Sequence, residues 1–461
     1  MSTSSSGLST VLSNVNNAFS GKTSGIDVAS TVSALMQLQE QPLVQMQSEQ
    51  SAVQLQISTL GTIASQLSQM QTAAQSLTDV FGALSQKTVT SSDPTIATAT
   101  AQDTAVAGTH SVVVSQLATT SSSYSDPIAD PTSLAGTTLT IAYGDANNPT
   151  KTDSIALPST VKTLQDVADA INSSAQNTGV TASVQNDAKG QRLVLVSKAS
   201  GAAGNLTATG TVNFNQGVEG LDATGTVDGV PFDSASNTLT GVITGVSLQL
   251  ESDAPDTTVQ IGISPDTTTA ATALTTFVTD YNAVMQSINA QFTPDSSGNL
   301  GPLESDAALR TLQSQMLELA GDSASGAGQY VNLQSLGVEM QDDGTLQLNT
   351  TTLQTALTTD YADFQNFFQS KSGYGQAIGT MLQQMTDPTA GVVGLDTQGL
   401  QAENNDLTQQ MSDFQNQMTV KQQQLTTQYS NLNVLLQQYP AEMQQIELQL
   451  SSLNPSSSST S

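Results

Sequence analysis

Both ends of this chain carry long apolar seams, and a seam has to find something to pack on. Leu43 and Met46 open the first, Gln50 holds the next place, and Val53, Ile57, Leu60, Ala64, Leu67, Met70, Ala74, Leu77, Phe81 and Leu84 follow at alternating threes and fours. That spacing predicts a coiled-coil-like helix over about six heptads. At 1.5 Å per residue, 43–84 makes a rod roughly 60 Å long. Toward the other end Leu407, Met411, Phe414, Met418, Lys421 and Leu425 hold one seam. An extra four-residue step, which locally unwinds a supercoil, leads to Tyr429, Leu432, Leu436, Tyr439, Met443, Ile446, Leu450 and Leu453. Pro440 inside this run predicts a kink or a break. A lone amphipathic helix is marginal in water, because its stability comes mainly from burying its apolar face. The economical solution packs the two seams on each other and inserts everything between them at the far end. The alternative leaves the seams unpaired until another protein supplies the surface.

Ahead of the first seam, Asp27 is placed to cap a helix carrying Val28, Val32, Leu35 and Leu38, which Pro42 interrupts. The first ~25 residues are rich in Ser, Thr and Asn and are expected to be disordered alone, as is the Ser-rich tail 454–461. The stretch 88–268 reads as β, with short alternating runs such as 111–114, 139–143, 192–196 and 246–250 punctuated by Gly, Asp, Asn and Pro. One helix interrupts it, with Leu164, Val167, Ala168 and Ile171 on one face. Helical periodicity returns between 270 and 385, as in Leu274, Phe277, Tyr281, Val284 and Ile288. The fold class is therefore α+β, a helical coiled-coil stalk formed by both chain ends with inserted β-rich head domains.

The charge balance narrows the partners. Ten Lys and Arg stand against 39 Asp and Glu, and the cations are scattered singly from Lys22 to Lys421. Nucleic acid and anionic membranes both require clustered cations, so neither is expected. No apolar run reaches the length of a signal peptide core or of a membrane span, so a secreted fate would use an uncleaved N-terminus.

Catalysis is not expected. The chain has no Cys and a single histidine, His110, just before a predicted strand. A triad needs a base oriented by a third group and zinc needs several N or S ligands, so His110 reads as a surface or strand-edge residue. Gly21-Lys22-Thr23 resembles the end of a phosphate loop, but Asn16 stands where the loop needs a Gly. The turns at Asp145 to Pro149 and Asp295 to Asn299 lack the spaced oxygen set of a calcium loop ending in Glu, and Asp, Asn and Gly are what tight turns require. No catalytic residue, metal or cofactor is expected.

Several segments in this order resemble the flagellar filament-capping family, hook-associated protein 2. They are Ser24-Gly25-Ile26-Asp27 with Val32, Leu35, Met36 and Gln41-Pro42-Leu43, then Ala107 to Val112 with Gln116-Leu117-Ala118. Thr163-Leu164, Ala170-Ile171-Asn172, Gly179-Val180, Arg192 to Leu195 and Gly201 are similar to a β-rich module of flagellar axial proteins. Phe277-Val278, Tyr281-Asn282, Gly301-Pro302-Leu303, Leu309-Arg310, Leu336-Gly337-Val338, Asp343 to Leu346 and Asp363 to Phe368 complete the series. The C-terminal end departs from the family pattern, with a Gln-rich seam and Pro440.

The resemblance implies a cap at the distal tip of the bacterial flagellar filament, exported without a cleaved signal. It would be a homo-oligomeric ring of about five subunits that promotes insertion and folding of flagellin. A hook–filament junction protein and a flagellar export chaperone are implied as further partners. The expected division is 1–42 (flexible segment and terminal helix), 43–87 (first stalk half), 88–120 with 225–268 (inner β head), 121–224 (outer β head), 269–399 (helical stalk domain) and 400–461 (C-terminal coiled-coil helix and tail). Ile26, Val32, Leu35, Leu432, Leu436 and Ile446 are expected to contact the filament or neighbouring subunits; an internal stalk core is the competing reading for positions nearest the head. The rival functions are another axial protein, such as the junction protein or flagellin itself, and a secreted adhesin binding mucin or a host surface. The segments at Tyr281-Asn282 and Asp343-Gly344 favour the cap, and a head without Trp is poorly furnished for stacking on glycans. Adding calcium is expected to leave the melting temperature unchanged in a thermal-shift titration; a calcium-dependent rise would reinstate a metal site.

Overall fold

The computed structural model describes residues 9, 11–13, 16–17, 25–323 and 328–453. Most of the leader expected to be disordered, the Gly21-Lys22-Thr23 match and the tail 454–461 lie outside the described residues, while 9, 11–13 and 16–17 are helical. Helix α1 (Val28–Gln39) and helix α2 (Gln41–Thr78) follow one another with only Glu40 between them. The Asp27 carboxylate accepts the Ser30 N–H at 3.0 Å and so caps α1. Pro42 stands in the first turn of α2, where its missing N–H costs no intrahelical bond.

Two expectations for α2 are corrected. The helix stops at Thr78 rather than running to 84, and Phe81 is 65% exposed instead of joining the seam. Ala64 is exposed, and Ile63 is buried in its place. The buried positions Leu60, Ile63, Leu67, Met70, Ala74 and Leu77 still alternate threes and fours. Their phase is set by three helices packed around α2 here, those spanning Thr267–Phe292, Tyr374–Thr386 and Val392–Leu453, rather than by one partner.

Among the described residues seventeen strands follow. In the inner head a five-stranded sheet runs in the order β1 (Lys87–Ser91), β15 (Val259–Pro265), β3 (Gly108–Gln116), β11 (Ala223–Val227), β12 (Val230–Ser234). It shares a core with a three-stranded sheet of β13 (Thr238–Ile243), β14 (Val246–Leu250) and β2 (Ala97–Ala101). Alternation does the sorting: Val112 and Val114 of β3 and Val259, Ile261 and Ile263 of β15 point inward.

The outer head has its own core. A sheet ordered β10 (Phe214–Val218), β4 (Thr120–Ser125), β8 (Gly190–Ser200), β7 (Val180–Asp187) shares it with a sheet ordered β6 (Asn148–Ala156), β5 (Thr138–Asp145), β9 (Leu206–Thr209). Helix α3 (Leu164–Ser173) buries the four residues read from its pattern, and Thr163 and Asp166 close a capping box at its start.

The third core is helical and includes the head-proximal half of α2. Around it lie α4 (Thr267–Phe292), α5 (Ala307–Gly321), the hairpin β16 (Val338–Met340)–β17 (Leu346–Leu348), α6 (Thr350–Thr359), α7 (Tyr361–Gln369) and α8 (Tyr374–Thr386). Phe367 stacks on Tyr374 at 5.1 Å, and the buried Tyr374 hydroxyl donates to the Leu319 carbonyl at 2.6 Å. Helix α9 (Val392–Leu453) then runs for 62 residues, about 90 Å. The helix is unbroken at Pro440, so of the two outcomes open there the break does not occur.

Where α9 leaves this core, Asp396 faces Asp306, which caps α5 by accepting the Leu309 N–H at 2.8 Å. Burial, followed by the hydrogen bond and charge of Asp306, pushes the Asp396 carboxyl up to about 6. A carboxyl whose folded pKa lies above its ordinary value makes the fold more stable when protonated. Stability from this pair is present at low pH and is lost as pH rises through about 4 to 6. Asp396→Asn should therefore raise the melting temperature at neutral pH and flatten its dependence across that window, as read by calorimetry at a series of pH values.

Candidate functional site

The stalk brings the two chain ends together as the seams require. Gln50 donates to Thr408 at 2.8 Å and Gln54 to Asn404 at 3.4 Å, so α2 and α9 are antiparallel. The Ile26 N–H donates to Asn433 at 2.8 Å. From residue 54 back to 26, each step along α1 and α2 is thus matched by nearly one step onward along α9. The short gap at Glu40 and Pro42 leaves that register undisturbed, and α1 extends the same pair beyond α2.

The six residues singled out from the sequence divide between two environments. Ile26 and Val32 are buried in the chain itself, at 4% and 3% exposure, and Leu35 and Leu436 are half-buried. Leu432 and Ile446 stand exposed, at 36% and 50%. The inner line of α9 runs Leu425, Tyr429, Asn433, Leu436, so Asn433 takes the place the apolar pattern offered to Leu432. Periodicity could not find Asn433, because an amide reads as a surface residue. Its signal is the adjacent Gly25, where an added Cβ would sit 2.2 Å from the Asn433 side-chain oxygen. Beyond these positions Val434 and Leu435 leave further apolar surface open, at 54% and 55% exposure.

The polarity of this pair is made of amides and hydroxyls. The ion pairs found among the described residues, His110–Asp228, Lys151–Asp153 and Arg192–Asp187, all lie in the heads. His110 sits on β3 with its Nδ1 2.7 Å from the Asp228 carboxylate. The turn acids are used as turn residues: the Asp295 carboxylate accepts the N–H groups of Asn299 and Ser297, which hold it below its usual range. Among the described residues no group of three His, Cys, Asp or Glu side chains is placed to hold a metal, and no helix is long and apolar enough to cross a membrane.

A stalk made from both chain ends with a β head between them can be compared directly with known proteins. The model of the flagellar hook-associated protein 2 C-terminus matches residues 220–441, that of its N-terminus matches 24–121, and the flagellin hook IN motif matches 138–199 in the outer head. The B-type flagellar hook-associated protein 2 of Pseudomonas aeruginosa is 30% identical over 353 residues, covering 68% of this chain and 72% of the relative. The chain belongs to the flagellar hook-associated protein 2 family.

The flagellar hook-associated protein 2 of Escherichia coli K12 is 28% identical over 475 residues, 95% of this chain and 96% of that protein. The crystal structure of the D1-D2-D3 domains of the flagellar cap protein FliD from Escherichia coli superimposes with a TM-score of 0.59 at 26% identity, covering 74% of this chain and 99% of that one. These matches favour the hook-associated protein 2 reading over a junction protein or an adhesin. Within this family stalk, Asn433 ties the residue just ahead of α1 to α9, and replacing it by Val leaves the Ile26 N–H without this partner. Asn433→Val should speed hydrogen exchange selectively over 26–39, with protection of the head strands unchanged.

Proposed function

We propose that this chain caps the distal end of the bacterial flagellar filament, as a ring of copies that guides each exported flagellin into place while it folds. The role is mechanical. The stalk is the observation that carries it: both chain ends meet in one antiparallel helix pair with the heads inserted at the far end, in a chain of the hook-associated protein 2 family that resembles a flagellar cap protein along most of its length. Stalks pointing into the filament and heads pointing away would leave a chamber between them for the arriving subunit.

The seam chemistry suits repeated exchange. Charged pairs flanking an apolar seam usually fix its alignment. Here the cross-stalk bonds join neutral side chains at Gln50–Thr408 and Gln54–Asn404, so a shift of register separates no ion pair. Leu432 and Ile446, exposed on α9, are offered as the surface that meets flagellin or neighbouring copies. Ile26, Val32, Leu35 and Leu436 already serve the chain's own stalk and would act by trading partners during assembly. A ring of about five copies, the junction protein and export chaperone as further partners, and export without a cleaved signal all belong to this proposal and rest on the family resemblance.

Cells lacking the chain are expected to carry bare hooks and release monomeric flagellin into the medium, and purified protein added back should restore filaments. Normal filaments in its absence would remove the capping role. Leu432→Asp combined with Ile446→Asp should leave the melting temperature near wild type while abolishing restoration in the same assay.

A further inference from the structure

We propose that a rigid apolar knob at the top of the stalk docks into a groove at the base of the inner head of a second copy of this chain. The inference deepens the capping reading and rests on the self-association it contains. The knob is the loop 79–82 between α2 and β1. Val80 and Phe81 project from it at 58% and 65% exposure, although the chain buries other phenylalanines completely. The loop is held still. The Phe81 N–H donates to the Asp79 carboxylate at 3.0 Å, the Gly82 N–H to the Asp79 carbonyl at 2.9 Å, and the Gln369 amide to that carbonyl at 2.7 Å. A Cβ at Gly82 would lie 2.4 Å from the Ser76 carbonyl, so the turn admits only glycine as built.

The groove, about 390 Å³, opens between the edges of the two inner-head sheets. Val106, Val230 and Val242 line it while 74%, 67% and 42% exposed, and Asp228 stands on its wall. Neither edge is built to accept an added strand. Pro231 lies in β12, and the β13 ladder is interrupted between Thr240 and Ile243. A side-chain knob fits such a groove better than a strand, and a buried aromatic is the usual anchor of an interface.

Position and charge identify the occupant. The knob leads into β1, whose Lys87 pairs with Pro265 of β15, and Ser111 beside Asp228 pairs with Gln260 five residues along the same strand. The start of β1, just after the knob, and the Asp228 corner of the groove are therefore within roughly 17 Å of each other in height. In a ring whose axis follows the stalks, every contact joins two different surfaces at similar height, which is this arrangement. The inner-head segments 88–120 and 225–268 contain eight Asp and Glu and no Lys or Arg. The knob is flanked by cations, with Lys87 after it and Lys371 two residues beyond the Gln369 that holds it. The groove's own acid, Asp228, is already paired with His110, so the complementarity between copies lies in the acidic inner head as a whole against the Lys87 and Lys371 that flank the knob.

The test uses two full-length variants at exposed positions. The knob variant is Val80→Ser with Phe81→Ser, and the groove variant is Val230→Glu with Val242→Glu. Both should melt near wild type, while each alone raises the concentration for half-association in sedimentation velocity about tenfold or more. Mixed in equal amounts they should form a one-to-one dimer that grows no further, because each retains one of the two intact surfaces. Variants that assemble like wild type, a mixture that stays monomeric, or a wild-type chain monomeric at every concentration would each overturn the interface. Variants that assemble normally and also restore filaments would sink the interface while leaving the capping role in place. A wild-type chain that restores no filaments would sink the capping role itself.

Discussion

An apolar stripe on a long helix cannot stay in water, and most of this architecture follows from satisfying two such stripes at once. Helix α9 is about 90 Å long, and propensity alone would not hold so polar a helix together. Its inner line is covered by α2 near the head and by α1 farther out, in a single register from Gln54–Asn404 to Ile26–Asn433. Because the covering helices come from the opposite end of the chain, everything between has to leave and return at the head end of the stalk. The heads are insertions because the ends are partners.

Each head closes its own core, so it places few demands on the stalk. The inner head buries Val112, Val114, Val259 and Ile261, the outer head Ile141, Ile155, Leu193 and Leu195. The stalk, by contrast, is graded. Leu60, Leu67, Met70 and Leu77 are fully buried where α4, α8 and α9 surround α2, whereas farther along α9 the inner positions are only half-covered. The inner line of α9 is thus less covered away from the heads, while Ile26, Val32 and Met36 on the partner side stay buried against it.

Much was legible locally. Asp27 as a cap, the helix face at Leu164, Val167, Ala168 and Ile171, and the strands at 111–114, 139–143, 192–196 and 246–250 follow from periods of 3.6 and 2 and from turn residues, all short-range effects. The misreadings share one cause. Ala64 and Phe81 fit the heptad pattern, but three surrounding helices set the phase of α2 and the chain turns at Asp79 before Phe81 is reached. Asn433 is invisible to periodicity, which favours Leu432, because its value lies in one hydrogen bond to a residue 407 positions away.

The sequence by itself determined which segments are helix or strand, their order, the absence of thiol chemistry and the scarcity of cations, since composition and periodicity act over a few residues. Only the tertiary structure decided the register of the stalk, the burial of Ile26 and Val32 against the chain's own far end, and the exposure of Leu432, Ile446 and Phe81. These depend on which distant surfaces meet, and a low-charge, amide-rich seam contains too few unique pairs to specify that from one strand of text.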